Sequence, residues 1–132
     1  MNTIDYRKNH KYLNCSETML YFANDYYKLN LNPIALKAMS GFGGGLFEED
    51  LCGLVSGGVS VISMILTQQT AYQSPDLNKA VIAYKKRIKD AFGSIDCRLI
   101  KPNHRDELNG CDQIIIKAMN ILIQVIDDFK VS

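Results

Sequence analysis

Apolar residues recur at helical spacing in the first part of this 132-residue chain. Met19, Phe22 and Tyr26 fall on one face of a helix that the pattern predicts over residues 15–29. A second, short helix is predicted to begin at Asn32-Pro33, where a capping residue precedes a proline, and to end at the glycines that follow. The first part of the chain is therefore predicted to be helical.

The middle of the chain combines a glycine-rich loop with the most apolar segment. Residues 41–45 predict a flexible turn, because several glycines in five residues disfavour any regular element. The acidic run 48–50 is then well placed for the first turn of the next helix. Residues 51–69 are apolar or small on nearly every side, which predicts a helix enclosed by others. Its glycines would let neighbouring helices pack closely: Gly53, Gly57 and Gly58.

Two longer helices are predicted in the second half of the chain. One covers residues 74–92, from a cap and first-turn proline to the stop at Gly93. The other covers residues 111–130, where polar residues recur at 3.6-residue spacing. The polar stretch within residues 94–110 predicts an exposed loop. The apolar stripe of the first of these helices consists of Val81, Ile82, Tyr84, Ile88 and Phe92.

No segment shows sustained alternation of apolar and polar residues, so the pattern predicts an all-α fold. We expect a single-domain bundle of about five helices over residues 1–132, with a glycine-rich loop before a buried central helix. Residues 1–12 form a polar N-terminal segment in this interpretation.

Charge and hydropathy exclude several classes of partner. Lysine and arginine total 15 against 14 acidic residues, so no strong positive field would attract nucleic acid. The dense apolar run is shorter than the roughly 20 residues of a membrane-spanning helix, and no secretory leader pattern opens the sequence. We therefore expect a cytoplasmic protein without membrane insertion, whose apolar helices would suit a homodimer.

The four cysteines carry the candidate chemistry: Cys15, Cys52, Cys97 and Cys111. Three of them, all but Cys97, stand where helices are predicted to begin, and a helix N-terminus lowers a thiol pKa. No CxxC pair is present, which excludes the usual zinc ribbons and the thioredoxin motif. Instead, core-facing positions on separate elements would let the four thiolates converge on one site. Such a set suits an iron–sulfur cluster or, less often, tetrahedral zinc.

Two other interpretations of the cysteines remain open at this point. The same residues could act as thiol/disulfide pairs without any metal, in which case Cys97 and Cys111 would close the shortest loop. Alternatively, the chain could be a zinc-stapled helical interaction module.

The order of these motifs resembles that of the redox-active family named C_GCAxxG_C_C. Cys15, Cys52, Cys97 and Cys111 match its four cysteines, and Gly53 and Gly57 match the glycines of its CGAxxG-type motif, although Leu54 replaces the usual alanine. A related domain occurs in split-Soret cytochromes, so the resemblance implies an iron–sulfur cluster that passes electrons to an unidentified redox partner protein.

The glycine loop acquires a function in this interpretation. Its backbone amides could donate hydrogen bonds to cluster sulfurs, which makes Gly43, Gly44 and Gly45, together with Gly53, candidate cofactor-binding residues. A helix cap followed by an ordinary loop explains the same glycines without a cofactor.

Overall fold

A computed structural model of the chain describes residues 2–105 and 110–130. Those residues form seven α-helices: α1 Thr3–Asn9, α2 Cys15–Tyr26, α3 Pro33–Lys37, α4 Gly53–Leu66, α5 Leu77–Phe92, α6 Cys97–His104 and α7 Asp112–Phe129. An isolated antiparallel bridge joins Leu51 and Asp96, and these ranges contain no β-strand. The all-α prediction is confirmed.

The predicted number of about five helices is too low, because two short helices lie in segments that look polar. The helix α1 lies within the N-terminal segment, and its Tyr6 and Arg7 are buried. The helix α6 lies where an exposed loop was predicted, and it buries Ile100. These two helices each bury only one or two side chains, so the sequence of neither shows a detectable apolar periodicity.

The core lies between α2, α4, α5 and α7. Central helix α4 packs against the other three, as its uniformly apolar sequence predicts. On α5 the buried stripe is Ala80, Tyr84, Ile88 and Phe92, at four-residue spacing. Ile82 was predicted to belong to this stripe, but it lies off it and is 61% exposed.

Two glycines on different sides of α4 allow this helix to pack closely against its neighbours. A Cβ atom at Gly57 would lie 2.9 Å from the Ser16 carbonyl oxygen of α2. At Gly58 it would overlap the ring of Tyr84, whose buried hydroxyl donates a 2.6 Å hydrogen bond to the Leu54 carbonyl oxygen. The predicted close packing at these glycines is therefore confirmed.

The segment between α3 and α4 is a tight turn that ends ahead of the central helix. A 3₁₀ turn covers Ser40–Phe42, and the Asp50 amide then closes a second turn by donating to the Gly45 carbonyl oxygen at 2.9 Å. The acidic residues 48–50 were predicted to lie in the first turn of α4. They belong instead to this turn and to the link after it, because α4 begins at Gly53.

None of the described helices is both long enough and apolar enough to cross a bilayer.

Candidate functional site

All four cysteines stand at helix N-termini. Cys15 is the first residue of α2 and Cys97 the first of α6, while Cys52 and Cys111 are the residues just before α4 and α7. The sequence predicted this for three of them. The assignment of Cys97 to a loop was wrong, because the polar segment after it folds as α6.

A capping box fixes Cys15. The Asn14 side chain accepts a hydrogen bond from the Glu17 amide at 3.0 Å, and the Glu17 carboxylate accepts one from the Asn14 amide at 3.0 Å. Next to Cys15, the buried Ser16 hydroxyl donates to the Met39 carbonyl oxygen at 2.6 Å. The first turn of α2 is therefore held from both sides.

Gly53 brings the start of α4 against this turn. A Cβ atom at Gly53 would lie 3.2 Å from the Cys15 Cβ atom and 3.0 Å from the Ser16 nitrogen. Gly57 lies one turn later on the same face of α4 and also contacts α2. The two glycines of the cysteine motif thus allow the helix that follows Cys52 to pack directly on the helix that begins at Cys15.

Backbone pairing joins the starts of α4 and α6. The Cys52 amide donates to the Ile95 carbonyl oxygen at 2.8 Å, and the Cys97 amide donates to the Asp50 carbonyl oxygen at 2.7 Å. These bonds flank the antiparallel bridge between Leu51 and Asp96. The segments that carry Cys52 and Cys97 therefore lie side by side.

Arg98 reinforces this junction from the surface. Its guanidinium group binds the Asp50 carboxylate at 2.7 Å and donates to the Glu49 carbonyl oxygen at 3.2 Å. The side chain is 56% exposed, so the ion pair contributes little free energy. Its role is to orient the turn before Cys52 relative to α6.

A largely buried ion pair anchors the start of α7, next to Cys111. The Arg7 Nε atom lies 2.9 Å from a carboxylate oxygen of Asp112, and the Lys11 Nζ atom lies 3.5 Å from the other oxygen. Arg7 also donates to the His10 carbonyl oxygen at 2.7 Å. Helix α1 is therefore connected to the start of α7, next to Cys111.

The thiols of Cys15 and Cys111 are neighbours whose pKa values depend on each other. Hydrogen bonding to Cys15 is the main cause that lowers the pKa of Cys111 to about 6, against the effect of burial and with smaller contributions from the positive charges of Arg105, Lys101 and Arg7. Hydrogen bonding to Cys111, together with burial, raises the pKa of Cys15 well above its ordinary value. Of the two thiols, Cys111 is therefore the stronger acid.

The other two cysteines are neutral thiols. Burial raises the pKa of Cys52 to about 11, although the backbone amides of Leu54 and Val55 favour the thiolate. Burial also raises the pKa of Cys97, against the charge of Lys101. The prediction that helix N-termini lower these pKa values is wrong for Cys15, where hydrogen bonding to Cys111 and then burial raise the pKa. It is also wrong for Cys52, where the loss of hydration outweighs the backbone amides.

The four cysteines are coupled electrostatically. Negative charge on Cys52, Cys97 or Cys111 raises the pKa of Cys15, and charge on Cys97 or Cys111 raises that of Cys52. All four are free thiols in this structure. Nevertheless, among residues 2–105 and 110–130 no three Cys, His, Asp or Glu side chains are arranged to hold one metal ion.

The glycines proposed as cofactor ligands have structural contacts of their own. A Cβ atom at Gly43 would overlap the Asn14 side chain, and one at Gly45 would overlap the Asp50 backbone. Gly44 has open space but a φ of +61°, which favours glycine. Close packing and turn geometry account for these residues, and their role toward a cofactor stays a prediction.

No pattern in the sequence predicts the cations around Cys111. Arg7 belongs to the segment that was interpreted as a polar terminus, and 105 positions separate it from Asp112. Lys101 and Arg105 lie in and just after a helix that was taken for a loop. Only the packing of α1 and α6 places these charges near the thiolate.

Comparison with known proteins gave one match. A family model described as "Putative redox-active protein (C_GCAxxG_C_C)" matches residues 13–125, which include all four cysteines. Neither the curated proteins nor the solved structures contain a match.

Proposed function

The chain belongs to the C_GCAxxG_C_C family, and on that premise we propose that its redox chemistry is dithiol–disulfide exchange at Cys15 and Cys111. The proposal is supported by the opposite shifts of the two pKa values, which favour a thiolate on Cys111 and a thiol on Cys15. Such a pair would combine a nucleophile with a second thiol that can resolve the mixed disulfide.

The pKa of Cys111 suits the nucleophile. Thiolates rather than thiols attack disulfides, and attack is most efficient when the thiol pKa lies near the ambient pH. A pKa of about 6 keeps Cys111 ionised at neutral pH, whereas the other three cysteines stay protonated. Cys111 is also a partly exposed residue.

The reaction proceeds in two balanced steps. The Cys111 thiolate attacks one sulfur of a substrate disulfide, forms a mixed disulfide and releases the other half as a thiolate. Cys15 then loses its proton, which the released thiolate accepts, and attacks the Cys111 sulfur. The second half leaves as a thiolate, takes up a proton from water, and a Cys15–Cys111 disulfide remains.

Two electrons thus pass from the protein to the substrate. A dithiol protein or a small thiol restores the reduced pair by the reverse exchange, and this reductant is the unidentified redox partner in our proposal. A reducing compartment such as the cytoplasm would maintain the dithiol form.

Trapping experiments test this order of events. Purified reduced protein is treated with hydroxyethyl disulfide at neutral pH, and peptide mass spectrometry then locates the bonds. We expect a Cys15–Cys111 disulfide in the wild type, a stable mixed disulfide on Cys111 in Cys15→Ser, and little reaction in Cys111→Ser. Cys97→Ser is the matched control and should behave as the wild type. A disulfide that joins Cys52 to Cys97, or equal labelling of all cysteines, would contradict the proposal.

An iron–sulfur cluster is the second candidate, and the placement of the four cysteines at four helix N-termini favours it. Four thiolates are the usual donor set of such clusters, in which the cysteines are divided among two or four irons. Ligands for a cluster therefore need not surround a common ion, so the lack of a three-residue ion site in the described ranges is compatible with it. When bound by the four cysteines, a cluster would supply electron transfer at this site.

Anaerobic reconstitution separates the two candidates. A cluster requires visible absorption together with stoichiometric iron and sulfide, all of which should disappear in Cys52→Ser. Colourless protein that still forms the Cys15–Cys111 disulfide would leave only the thiol mechanism. Stoichiometric zinc with four unreactive cysteines would favour the structural zinc module, for which we see no specific contact.

A further inference from the structure

The outer face of α5 carries a trough that has an apolar half and a basic half. The apolar half has a volume of about 480 Å³ and is lined by the first part of α5 and the segment before it, including Tyr72 and Val81. The basic half has a volume of about 390 Å³ and is lined by the second part of α5 and by residues 93–96. Because the exposed Ile82 lines both halves, they are contiguous. We call this surface the α5 trough.

The basic half of the α5 trough carries unbalanced positive charge. Three lysines line it against one carboxylate, which gives a formal charge of +2: Lys85, Lys86, Lys89 and Asp96. Lys86 reaches Asp90 only at 3.9 Å, and both of these side chains are largely exposed. The ion pairs of the described ranges do not include Lys85 or Lys89. The trough therefore suits a surface that combines apolar side chains with carboxylates.

The chain itself displays such a surface in the turn before α4. Phe47 is 72% exposed and Leu46 is 48% exposed, so two large apolar side chains face solvent there. The next two residues, Glu48 and Glu49, are exposed acids. Glu49 lies 3.8 Å from Lys101, but Glu48 takes part in no ion pair of the described ranges. We call residues 46–49 the acidic turn, and its composition complements both halves of the α5 trough.

The acidic turn and the α5 trough lie side by side on one copy of the chain. The Cys97 amide donates to the Asp50 carbonyl oxygen at 2.7 Å, and the antiparallel bridge joins Leu51 to Asp96. The segment after the turn is thus paired with the segment that borders the basic half. Residues of the turn line neither half of the trough in their own copy. Because the two surfaces are adjacent, one two-fold axis can bring each turn to the other copy's trough, which closes the assembly as a dimer.

We infer that two copies of this chain associate through the α5 trough, each binding the acidic turn of the other. Phe47 enters the apolar half beside Tyr72 and Ile82, and Glu48 lies against the lysines of the basic half. A flat lipid bilayer does not fill such a concave surface, and nucleic acid offers no counterpart to the apolar half. The inference does not depend on the proposed function, because no cysteine side chain takes part in the contact.

Sedimentation equilibrium of the full-length protein tests the inference, with a phosphine present to keep the cysteines reduced. We expect the mass to rise with protein concentration from that of the monomer to twice that value, and added salt should weaken the association. Phe47→Ala should raise the dimer Kd about tenfold. Ile34→Ala is the matched control, because it truncates an exposed apolar side chain on α3, and its Kd should not change. A mass that stays monomeric, or that grows beyond the dimer, would overturn the inference.

A charge swap tests which surfaces meet. Lys85→Glu combined with Lys89→Glu reverses the charge of the trough, and Glu48→Lys reverses that of the turn. Each variant alone should be monomeric, because like charges then face each other. An equimolar mixture should form a heterodimer, since reversed trough meets reversed turn and the two unchanged surfaces also meet. Lys28→Glu combined with Lys37→Glu changes exposed positions outside the trough and should dimerise as the wild type does. A mixture that stays monomeric would overturn the inference.

Vesicles test the competing use of the same surface. Monomeric protein that sediments with phosphatidylglycerol vesicles, and that loses this binding in the trough variant, would overturn self-association and assign the α5 trough to a membrane surface. Failure of the disulfide trapping at Cys111 would instead refute the proposed function and leave the dimer intact.

Discussion

Gly57→Ala tests whether the close contact between α2 and α4 supports the cysteine site. The added Cβ atom would lie 2.9 Å from the Ser16 carbonyl oxygen, 3.0 Å from the Met19 Cβ atom and 3.1 Å from the Ser16 Cα atom. Two of these atoms belong to the backbone, so no side-chain rotation relieves the contact. Ser16 is also held on its other side, by the 2.6 Å hydrogen bond to Met39.

Two opposing effects determine the size of the change in stability. Alanine is favoured over glycine inside a helix by about 1 kcal/mol. Overpacking in a tight interface costs about 1–3 kcal/mol, and a rigid backbone partner favours the upper part of that range. We therefore expect a net loss of about 1–2 kcal/mol in the free energy of unfolding.

Urea denaturation of the reduced protein measures this difference, with circular dichroism as the readout. Gly41→Ala is the matched control, because its Cβ atom would meet no atom within 4 Å and its φ is not positive. That control should stay within about 0.5 kcal/mol of the wild type. If Gly57→Ala were as stable as the wild type or more stable, helix propensity alone would decide the outcome, and the argument that this glycine allows close packing would be refuted.

Three further predictions concern the cysteine pair and two buried polar contacts. The alkylation rate of Cys111 by iodoacetamide should fall as the pH drops below about 6, since its lowered pKa maintains the thiolate above that value. The pH midpoint of the alkylation rate should move to higher pH in Cys15→Ala and return partly in Cys15→Ser, which retains a hydrogen-bond donor. An unchanged pH midpoint in both variants would contradict the hydrogen bonding between Cys15 and Cys111. Tyr84→Phe removes a buried 2.6 Å hydrogen bond and should cost about 1 kcal/mol in urea denaturation, and no loss would show that the bond is energetically neutral. Asp112→Asn should cost about 1–3 kcal/mol, because the largely buried Arg7 guanidinium loses its carboxylate, and retention of full stability would argue against α1 as an anchor of α7.

Local signals in the sequence located most of the helices. The cap and proline at Asn32-Pro33 form as predicted. Gly93 ends α5 with a φ of 82°, which a residue with a side chain rarely adopts. Ser74 was expected to cap the start of α5, but its hydroxyl donates to Thr70 instead, and the helix begins at Leu77.

The pattern failed to predict helices α1 and α6 for the same physical reason. Both are short and polar, and they depend on contacts with distant residues. Helix α1 is held through the contact of Arg7 with Asp112, and α6 through the pairing of Cys97 with Asp50. Neither segment carries enough apolar residues to be recognised by periodicity, and helices this short are marginal without tertiary packing.

The sequence by itself determined that the protein is all-α, that three of its cysteines begin helices, and that α4 can approach its neighbours at its glycines. These properties depend on backbone propensity, capping and periodicity, which act over a few residues. Only the tertiary structure decided that the pKa of Cys111 is lowered while burial and neighbouring thiols raise those of the other cysteines. Hydrogen bonding between Cys15 and Cys111, burial and cations from distant helices cause these shifts, and all three arise only when the helices pack.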